Sequence, residues 1–330
     1  MIKKINIVAV NIKSGGGLVL LNELISFIKK NKNYKASIFV DRNFLVPVNS
    51  KRIRFIKFHS YLNKLEIFFK SLNNVIYFGN IPPINPFGKS RVLYFHNTFY
   101  CQSSFTLIKR LQFKYLFHKI YIKLFLSNID QVYTQTSYIS DTFYNYFKVK
   151  SKLLPFFRNF DLEDYRLEIL KFDFCYISLP SPAKNFENLF NALRILNNKQ
   201  LKISIVLTVP FENHNLIDLI SEFKNSYIQI FNVGIISHDE ALKYMAKSKV
   251  IIFPSTLETF GLPLIEAAIL NKVLIASDLP YVFEVVTPSK VFNPYDPKDI
   301  SNCMQKSLKG IYPKSKMRIR NNINLLFDNL

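Results

Sequence analysis

The sequence contains little cysteine, little glycine and no tryptophan. Its three cysteines, Cys101, Cys175 and Cys303, are scattered among 330 residues. They form neither a disulfide framework nor a metal-binding spacing, so we expect a reducing, cytoplasmic environment. Eight glycines and 15 prolines exclude collagen-like and low-complexity sequence. With 49% apolar and 20% charged residues the chain has a globular composition, and its length favours two domains over one core.

Long apolar runs are also absent. No segment reaches the ~20 apolar residues that a helix needs to cross a bilayer. The basic and apolar stretch at residues 1–10 is too short for a signal peptide, and it continues into a glycine-rich loop rather than a cleavage site. We therefore expect a protein that is neither exported nor membrane-spanning, although it can still lie on a membrane surface.

Acidic residues are too few to balance the basic ones. The chain has 44 Lys and Arg against 23 Asp and Glu, a formal net charge of +21. Such an excess indicates an anionic partner: nucleic acid, an acidic membrane or a phosphorylated ligand. Nucleic-acid binding is the rival class of function, because charge and aromatic content permit it. No recognised nucleic-acid motif is present, however, and the basic residues are spread over the whole chain.

Short β-rich runs alternate with helical periodicity from end to end, which is typical of doubly wound α/β domains. The alternation pauses after Pro155, where a mixed and charged stretch suits a linker. We predict a first Rossmann-like domain over residues 1–157 and a second over 158–312, with a terminal amphipathic helix within 313–330 that packs back on the first. Sheets of this kind bind ligands at the carboxyl ends of their strands, so the two domains are expected to face a cleft.

The segment 253–268 carries two carboxylates around a predicted helix start. A strand ends at Phe253, Glu258 lies in the loop, the chain turns at Gly261, and Glu266 follows the start of the helix. Free amides at a helix start bind phosphate, and carboxylates accept hydrogen bonds from sugar hydroxyls. This loop therefore suits a nucleotide sugar. A solvated loop residue and a carboxylate at the positive end of a helix explain the spacing equally well.

Two features of the first half lie at predicted strand ends. Gly15, Gly16 and Gly17 open a helix, where they suit the close approach of an anion or simply a tight turn. Their spacing is not the dinucleotide fingerprint. His96 ends a strand and is either structural or functional there. His59, His118, His214 and His238 show no comparable context, and no cluster of residues has a metal-ligand spacing.

Glu258 and Glu266 are separated by seven residues, and this frame resembles the Glu-x7-Glu motif of retaining glycosyltransferases of the GT-B fold, family 4. The stretches 271–278 and 284–285 also resemble the family's continuation, and the likeness extends over about residues 172 to 310. The resemblance implies metal-independent transfer of a sugar from a nucleoside diphosphate, of UDP or GDP type and with no further cofactor. It also implies an acceptor hydroxyl on a glycan or lipid-linked molecule, in the synthesis of O-antigen, capsule or another surface polysaccharide.

The same resemblance implies roles for individual residues. Glu258 would contact the donor sugar, Glu266 the ribose, and Lys184 the diphosphate. The remaining expected ligand contacts are the amides of Gly261 and Leu262 for sugar and phosphate, the loop of Gly234 and Ile235 for the base, His96 for the donor sugar, and the glycine loop at 15–17 for phosphate and acceptor. One departure is clear, because Ser178 and Leu179 stand where the family has Gly-Arg, so the second cation on the diphosphate is missing at its usual place, and Arg158 is the alternative cation. A non-catalytic relative, an epimerase and a phosphorylase of the same fold remain alternatives.

Residues 107–126 form a basic and aromatic stretch with two apolar stripes at helical spacing. One stripe contains Phe113, Leu116, Phe117, Ile120 and Leu124, and the other contains Leu111, Tyr115, Ile122 and Leu126. Either one stripe packs on the sheet while the other contacts an anionic membrane, or both stripes are buried. The first arrangement would bring the protein to the inner face of the plasma membrane and to a lipid-linked acceptor.

Overall fold

A computed structural model describes residues 2–13, 15–46, 50–97, 101, 109–165 and 168–330, with side chains at 61–62 and 109–115 left out. The chain divides into two compact units. The first comprises residues 1–158 together with 320–330, and the second comprises residues 159–319.

The first unit is built on a parallel sheet of seven strands in the order β3-β2-β1-β4-β5-β6-β7. The order reverses between β1 and β4, as it does in a doubly wound sheet. Its described elements are β1 Lys3–Ala9, α1 Gly15–Lys30, β2 Tyr34–Asp41, β3 Ile53–Phe58, α2 Tyr61–Phe69, β4 Val75–Phe78, β5 Arg91–Phe95, α3 Lys109–Phe125, β6 Gln131–Thr134, α4 Ser137–Phe147, β7 Lys152–Leu153 and α11 Ile323–Asp328.

The second unit contains a parallel sheet of six strands in the order β10-β9-β8-β11-β12-β14, and an antiparallel pair, β13-β15. Its described elements are β8 Phe172–Tyr176, α5 Phe186–Asn198, β9 Ile203–Leu207, α6 His214–Ser221, β10 Ile228–Asn232, α7 His238–Ala246, β11 Ser248–Phe253, α8 Leu262–Ile269, β12 Val273–Ser277, α9 Pro280–Val285, β13 Val286–Thr287, β14 Lys290–Phe292, α10 Pro297–Lys309 and β15 Lys316–Met317.

The central strands of the first sheet are buried along their whole length. Every residue of β4 and β5 is buried, including Arg91, whose guanidinium donates to Asp130 Oδ1 at 2.8 Å. Continuous apolar runs such as Val75–Phe78 are typical of parallel strands covered on both faces. The guanidinium of Arg91 lowers the pKa of Asp130, against the smaller effect of burial. This sheet presents its carboxyl ends, and therefore His96, at one edge.

The end of the chain differs from the predicted terminal helix. Met317 lies in β15, which pairs with β13 of the second unit, and the helix is confined to Ile323–Asp328. The period-2 alternation of Met317 and Ile319 with basic residues favours a strand at this point. The short helix packs on the first unit, where the Phe327 ring stacks on Phe27 with centroids 4.6 Å apart. The backbone at Asn322 also donates to the Pro155 carbonyl.

Candidate functional site

Two loops meet at the carboxyl edge of the second sheet. β8 and β11 are parallel neighbours, so the segments that follow them leave the sheet side by side. The Thr256 amide donates to the Ala183 carbonyl at 2.8 Å. Two buried tyrosines donate hydrogen bonds to these loops. Tyr176 donates to the Lys184 carbonyl at 2.7 Å, and Tyr281 donates to the Ser255 carbonyl at 2.6 Å. Burial raises the pKa of both tyrosines, so their hydroxyls remain protonated. The backbone around Lys184 and Ser255 is thus fixed by buried hydroxyls.

Asn185 holds the loop of Lys184 in place and was not among the predicted site residues. It adopts a left-handed conformation with φ +55°, which Asn tolerates better than most residues. Its side-chain amide donates to the carbonyls of Pro254 at 3.0 Å and Pro294 at 2.7 Å. The sequence gives a partial signal for this role, because Asn is a common left-handed residue before a helix, but its two acceptors are far away along the chain.

Lys184 and Glu258 are brought together as an ion pair. Lys184 Nζ lies 2.5 Å from Glu258 Oε1, and the two side chains are 23% and 12% exposed. The ammonium also lies 5.9 Å from the centroid of the Phe253 ring. A cation that can bind a diphosphate therefore stands directly beside a carboxylate that can accept sugar hydroxyls.

Gly261 turns the chain into α8. It has φ +67° and ψ +58°, and no side chain caps the helix. A Cβ on Gly261 would lie 2.9 Å from Leu264 Cδ1, so both backbone conformation and space favour glycine. The helix begins at Leu262, and its uncapped start presents backbone amides at the same edge of the sheet.

Glu266 is brought to His238 rather than to Lys184. Its Oε1 lies 2.6 Å from His238 Nε2, and the Glu266 side chain is buried. His238, which the sequence does not single out, therefore contacts a predicted site residue. His238 begins α7, whose start is fixed by a capping box between Ser237 and Glu240. That box is visible in the sequence and places His238 at a helix start, but the contact with α8 depends on the fold.

The loop after β10 presents an apolar surface. Gly234 has φ +68°, and a Cβ there would lie 2.6 Å from Phe211 Cε2. Ile235 and Phe211 are both exposed. Phe211 was not predicted, because it follows a different strand, β9, and nothing in the sequence connects it to Gly234. The close approach of a ring to glycine backbone suits the face of a planar ligand.

An exposed leucine, Leu179, stands where the family that the sequence resembles has an arginine. Leu179 is exposed, and the neighbouring Ser178 amide donates to Thr208 Oγ1 at 2.9 Å. The turn is thus held by a hydroxyl rather than by a guanidinium.

In the first unit, Gly17 and His96 lie close together. A Cβ on Gly17 would be 3.5 Å from His96 Nε2. The His96 ring stacks on Phe78 with centroids 5.0 Å apart, and the His96 backbone amide donates to Asn80 Oδ1 at 2.6 Å. Burial lowers the pKa of His96 to about 4, against the weaker, opposite effect of the Tyr94 backbone. Near neutral pH this residue is therefore a neutral imidazole that borders the glycine loop.

The other glycines of this loop precede Gly17 on α1. Gly15 has φ +65°, and a Cβ there would meet no atom within 4 Å. Gly16 follows within the first turn of the same helix. Across the described residues, no group of three or more His, Cys, Asp or Glu side chains is arranged to hold a metal ion.

Comparison with known families gives a match in the second half of the chain. Residues 164–324 match the family described as "Glycosyl transferases group 1". The serotype-specific mannosyltransferase WbdA of Escherichia coli is 28% identical over 137 residues, which is 40% of this chain and 17% of WbdA. The chain thus spans less than a fifth of the length of this curated relative.

Solved structures match over nearly the whole chain. Sucrose-phosphate synthase from Thermosynechococcus elongatus has a TM-score of 0.68 at 17% identity and covers 93% of this chain and 90% of its own. HepE from Anabaena, solved with UDP-glucose, has a TM-score of 0.65 at 14% identity with the same coverage. The chain has a two-domain, Rossmann-like GT-B fold, which confirms the expected fold class.

Proposed function

We propose that the protein transfers a sugar from a nucleoside-diphosphate sugar to a hydroxyl group, with retention of anomeric configuration. The observation that carries this proposal is the pair of Lys184 and Glu258 at 2.5 Å, beside the uncapped start of α8. The match to the glycosyltransferase group 1 family over 164–324 supports the same class of reaction.

The chemistry we propose is electrostatic. The bond between the anomeric carbon and the diphosphate breaks, and Lys184 together with the amides at Gly261 and Leu262 stabilises the negative charge that develops on the leaving group. Glu258 accepts hydrogen bonds from sugar hydroxyls and orients the donor. The acceptor oxygen forms the new bond on the same face of the sugar, and its proton passes to the oxygen of the departing diphosphate. The mechanism requires no metal ion, and we assign no protein nucleophile.

The donor nucleotide is proposed to lie along the carboxyl edge of the second sheet. Glu266 would bind the ribose hydroxyls, with His238 orienting the carboxylate through the 2.6 Å contact. The base would contact the loop of Gly234 and Ile235. HepE was solved with UDP-glucose and WbdA is a mannosyltransferase, so UDP-glucose and GDP-mannose are the first donors to test. We propose a glycan or lipid-linked acceptor in surface-polysaccharide synthesis.

The proposal is tested by donor binding. We expect one nucleotide sugar of a panel to raise the melting temperature, because a ligand that binds only the native state stabilises it. The substitution Glu266→Gln should weaken that donor by about tenfold to a hundredfold, since it removes a charged hydrogen-bond acceptor. Isothermal titration calorimetry measures the change, and Glu222→Gln, on an exposed carboxylate paired with Arg194, is the matched control.

Three results would count against these assignments. Equal donor affinity in wild type and Glu266→Gln would remove the ribose role. Salt-dependent binding of single-stranded nucleic acid, with no affinity for any nucleotide sugar, would favour the nucleic-acid-binding rival. Formation of an epimerised nucleotide sugar or a sugar phosphate, seen by NMR of the products, would favour the epimerase or phosphorylase.

The partner that we propose for the first unit is an anionic membrane. Within the described part of the chain no helix has the length and apolar character to cross a bilayer. One stripe of α3 is nevertheless exposed: Leu116, Phe117, Ile120 and Leu124, with Phe117 at 71% and Leu124 at 66%. Ile122 of the other stripe is buried. Phe113, Leu111 and Tyr115 lie outside the residues whose side chains are described.

We expect the protein to sediment with vesicles that contain phosphatidylglycerol and to bind pure phosphatidylcholine vesicles weakly, because Lys123 and the net charge of +21 favour an anionic surface. The double substitution Phe117→Ser with Leu124→Ser should reduce vesicle binding by about tenfold or more, since burying each such side chain contributes ~1.5–3 kcal/mol. Leu45→Ser, on another exposed apolar residue of the same unit, is the control. Binding that is equal on both vesicle types, or unchanged in the double variant, would contradict the proposal.

A further inference from the structure

A second cavity lies at the opposite edge of the second sheet from Lys184 and Glu258. It has a volume of about 520 Å³ and is lined at the amino ends of β11 and β12, by Lys249 and Lys272 among others. β11 runs from Ser248 at this cavity to Phe253 beneath the candidate donor site. Six strand residues span about 17 Å at ~3.3 Å per residue, so a ligand in the cavity would not overlap the donor.

The charges that line the cavity are unbalanced. Of the three lining lysines, Lys249 lies 2.8 Å from Asp173, which neutralises it. The lining carboxylate, Glu168, lies 3.3 Å from Lys247. Lys272 and Lys314 remain, and no carboxylate of the described residues pairs with either of them.

The backbone brings these two lysines together. The amide and the hydroxyl of Ser315 both donate to the Lys272 carbonyl, at 3.0 Å and 2.9 Å. This double contact fixes the chain at Lys314 over Lys272. Burial lowers the pKa of Lys272 to about 8, and the charge of Lys314 acts in the same direction. Two ammonium groups therefore line one cavity whose carboxylate, Glu168, is paired with another lysine, Lys247.

The Lys272 ammonium donates two hydrogen bonds to backbone carbonyls, and one of its three protons remains. Its ammonium donates to the Ser248 carbonyl at 3.0 Å and to the Ala246 carbonyl at the end of α7. Those bonds neutralise the negative end of a helix. An ammonium has three protons, so one remains for a ligand. A helix-capping role accounts for Lys272 but not for Lys314 or for the open volume between them.

The geometry points to this cavity as a binding site for a phosphate-bearing small molecule, with the phosphate between Lys272 and Lys314. The walls favour a ligand that also has an apolar portion, because Leu162, Leu170 and Leu308 line the same cavity. A volume of about 520 Å³ lies within the range of ~300–1,000 Å³ that small-molecule sites occupy. The site is separate from the proposed donor site and makes no use of Lys184 or Glu258.

The test uses the full chain carrying Lys184→Ala, which removes the proposed phosphate contact of the donor site. We expect hexyl phosphate to bind, inorganic phosphate to bind more weakly, and hexanol not to bind, as measured by calorimetry. Adding Lys314→Gln should weaken hexyl phosphate by about tenfold, the effect of losing one charged hydrogen bond. Lys316→Gln, which removes an exposed lysine two residues away that does not line the cavity, should leave the affinity unchanged.

A second variant separates the apolar walls from the charges. Leu170→Ser should weaken hexyl phosphate without changing inorganic phosphate. Unchanged affinity in Lys314→Gln, or loss of all phosphate binding on Lys184→Ala alone, would overturn the proposal. Failure of the donor-site assignment would be seen separately, as nucleotide-sugar binding that Lys184→Ala does not affect.

Discussion

The substitution Lys184→Ala is expected to lower the turnover of the preferred nucleotide sugar by about 10²–10³-fold, the usual effect of removing one group that stabilises transition-state charge. Lys184 is the cation that the fold places on Glu258, and Leu179 stands where the family has its arginine. A single ammonium would therefore carry the side-chain part of leaving-group stabilisation. Steady-state kinetics with the donor found by the binding screen measure the loss.

Lys202→Ala is the matched control, because it removes an exposed lysine from the same unit and should leave turnover unchanged. The substitution Glu258→Gln tests the ion-pair partner of Lys184. If both residues act on one donor, the double variant should lose much less than the product of the two single losses, because groups that act as a unit are non-additive. Circular dichroism checks that each variant folds. Full turnover in Lys184→Ala would remove this residue from the reaction.

Much of the fold was accessible from periodicity, because most strands are apolar runs in a parallel sheet. The sequence pattern predicts a strand over Val75–Phe78 and a helix over 138–147, and the structure has the strand Val75–Phe78 and the helix Ser137–Phe147. The pattern predicts no strand at Ile53–Phe58, because the sequence IRFIKF interleaves basic residues and resembles a charged loop. It pairs only with β2 at the edge of the sheet, where one partly exposed face tolerates arginine and lysine. Local patterns therefore identify central strands better than edge strands.

The candidate site likewise contains positions that follow from the sequence and contacts that depend on the fold. The loop and helix that carry Glu258 and Glu266 are contiguous, so their common location followed from spacing. The contact of Lys184 with Glu258 joins residues 74 apart, and that of His238 with Glu266 joins residues 28 apart. No periodicity specifies such pairs. The family resemblance supplied Lys184, whereas His238 required the packing of α7 beside α8.

Leu179 supplies no charge, so we expect backbone amides to share in holding a diphosphate. Backbone amides at the start of α8 carry partial positive charge, but the helix has only eight residues and begins with Leu262 and Pro263, and proline contributes no amide proton. The geometry of the loop before α8 is therefore as important for holding the diphosphate as Lys184 is. Tyr176 and Asn185 fix the loop of Lys184 through partly buried hydrogen bonds, and we propose for them a positioning role that the kinetics of Lys184 variants alone would not expose.

We expect the protein to become less stable as the pH falls, because His96 is buried in its neutral form. Its pKa is about 4 in the folded protein against an ordinary value of 6.5, so between these values the unfolded chain binds the extra proton. The stabilisation is complete above pH 6.5 and is lost as the pH falls towards 4, an effect of about 3 kcal/mol at ~1.4 kcal/mol per pKa unit.

In wild type, the melting temperature should therefore decrease across this window more than in His96→Gln, which carries no titratable ring. Calorimetric melting at several pH values measures the difference between the two proteins, and NMR of the His96 ring should show a neutral imidazole at pH 5.5. Parallel pH profiles, or a ring that is protonated at pH 5.5, would mean that water or another group reaches the imidazole, and that the neutral state of His96 beside Gly17 is wrong.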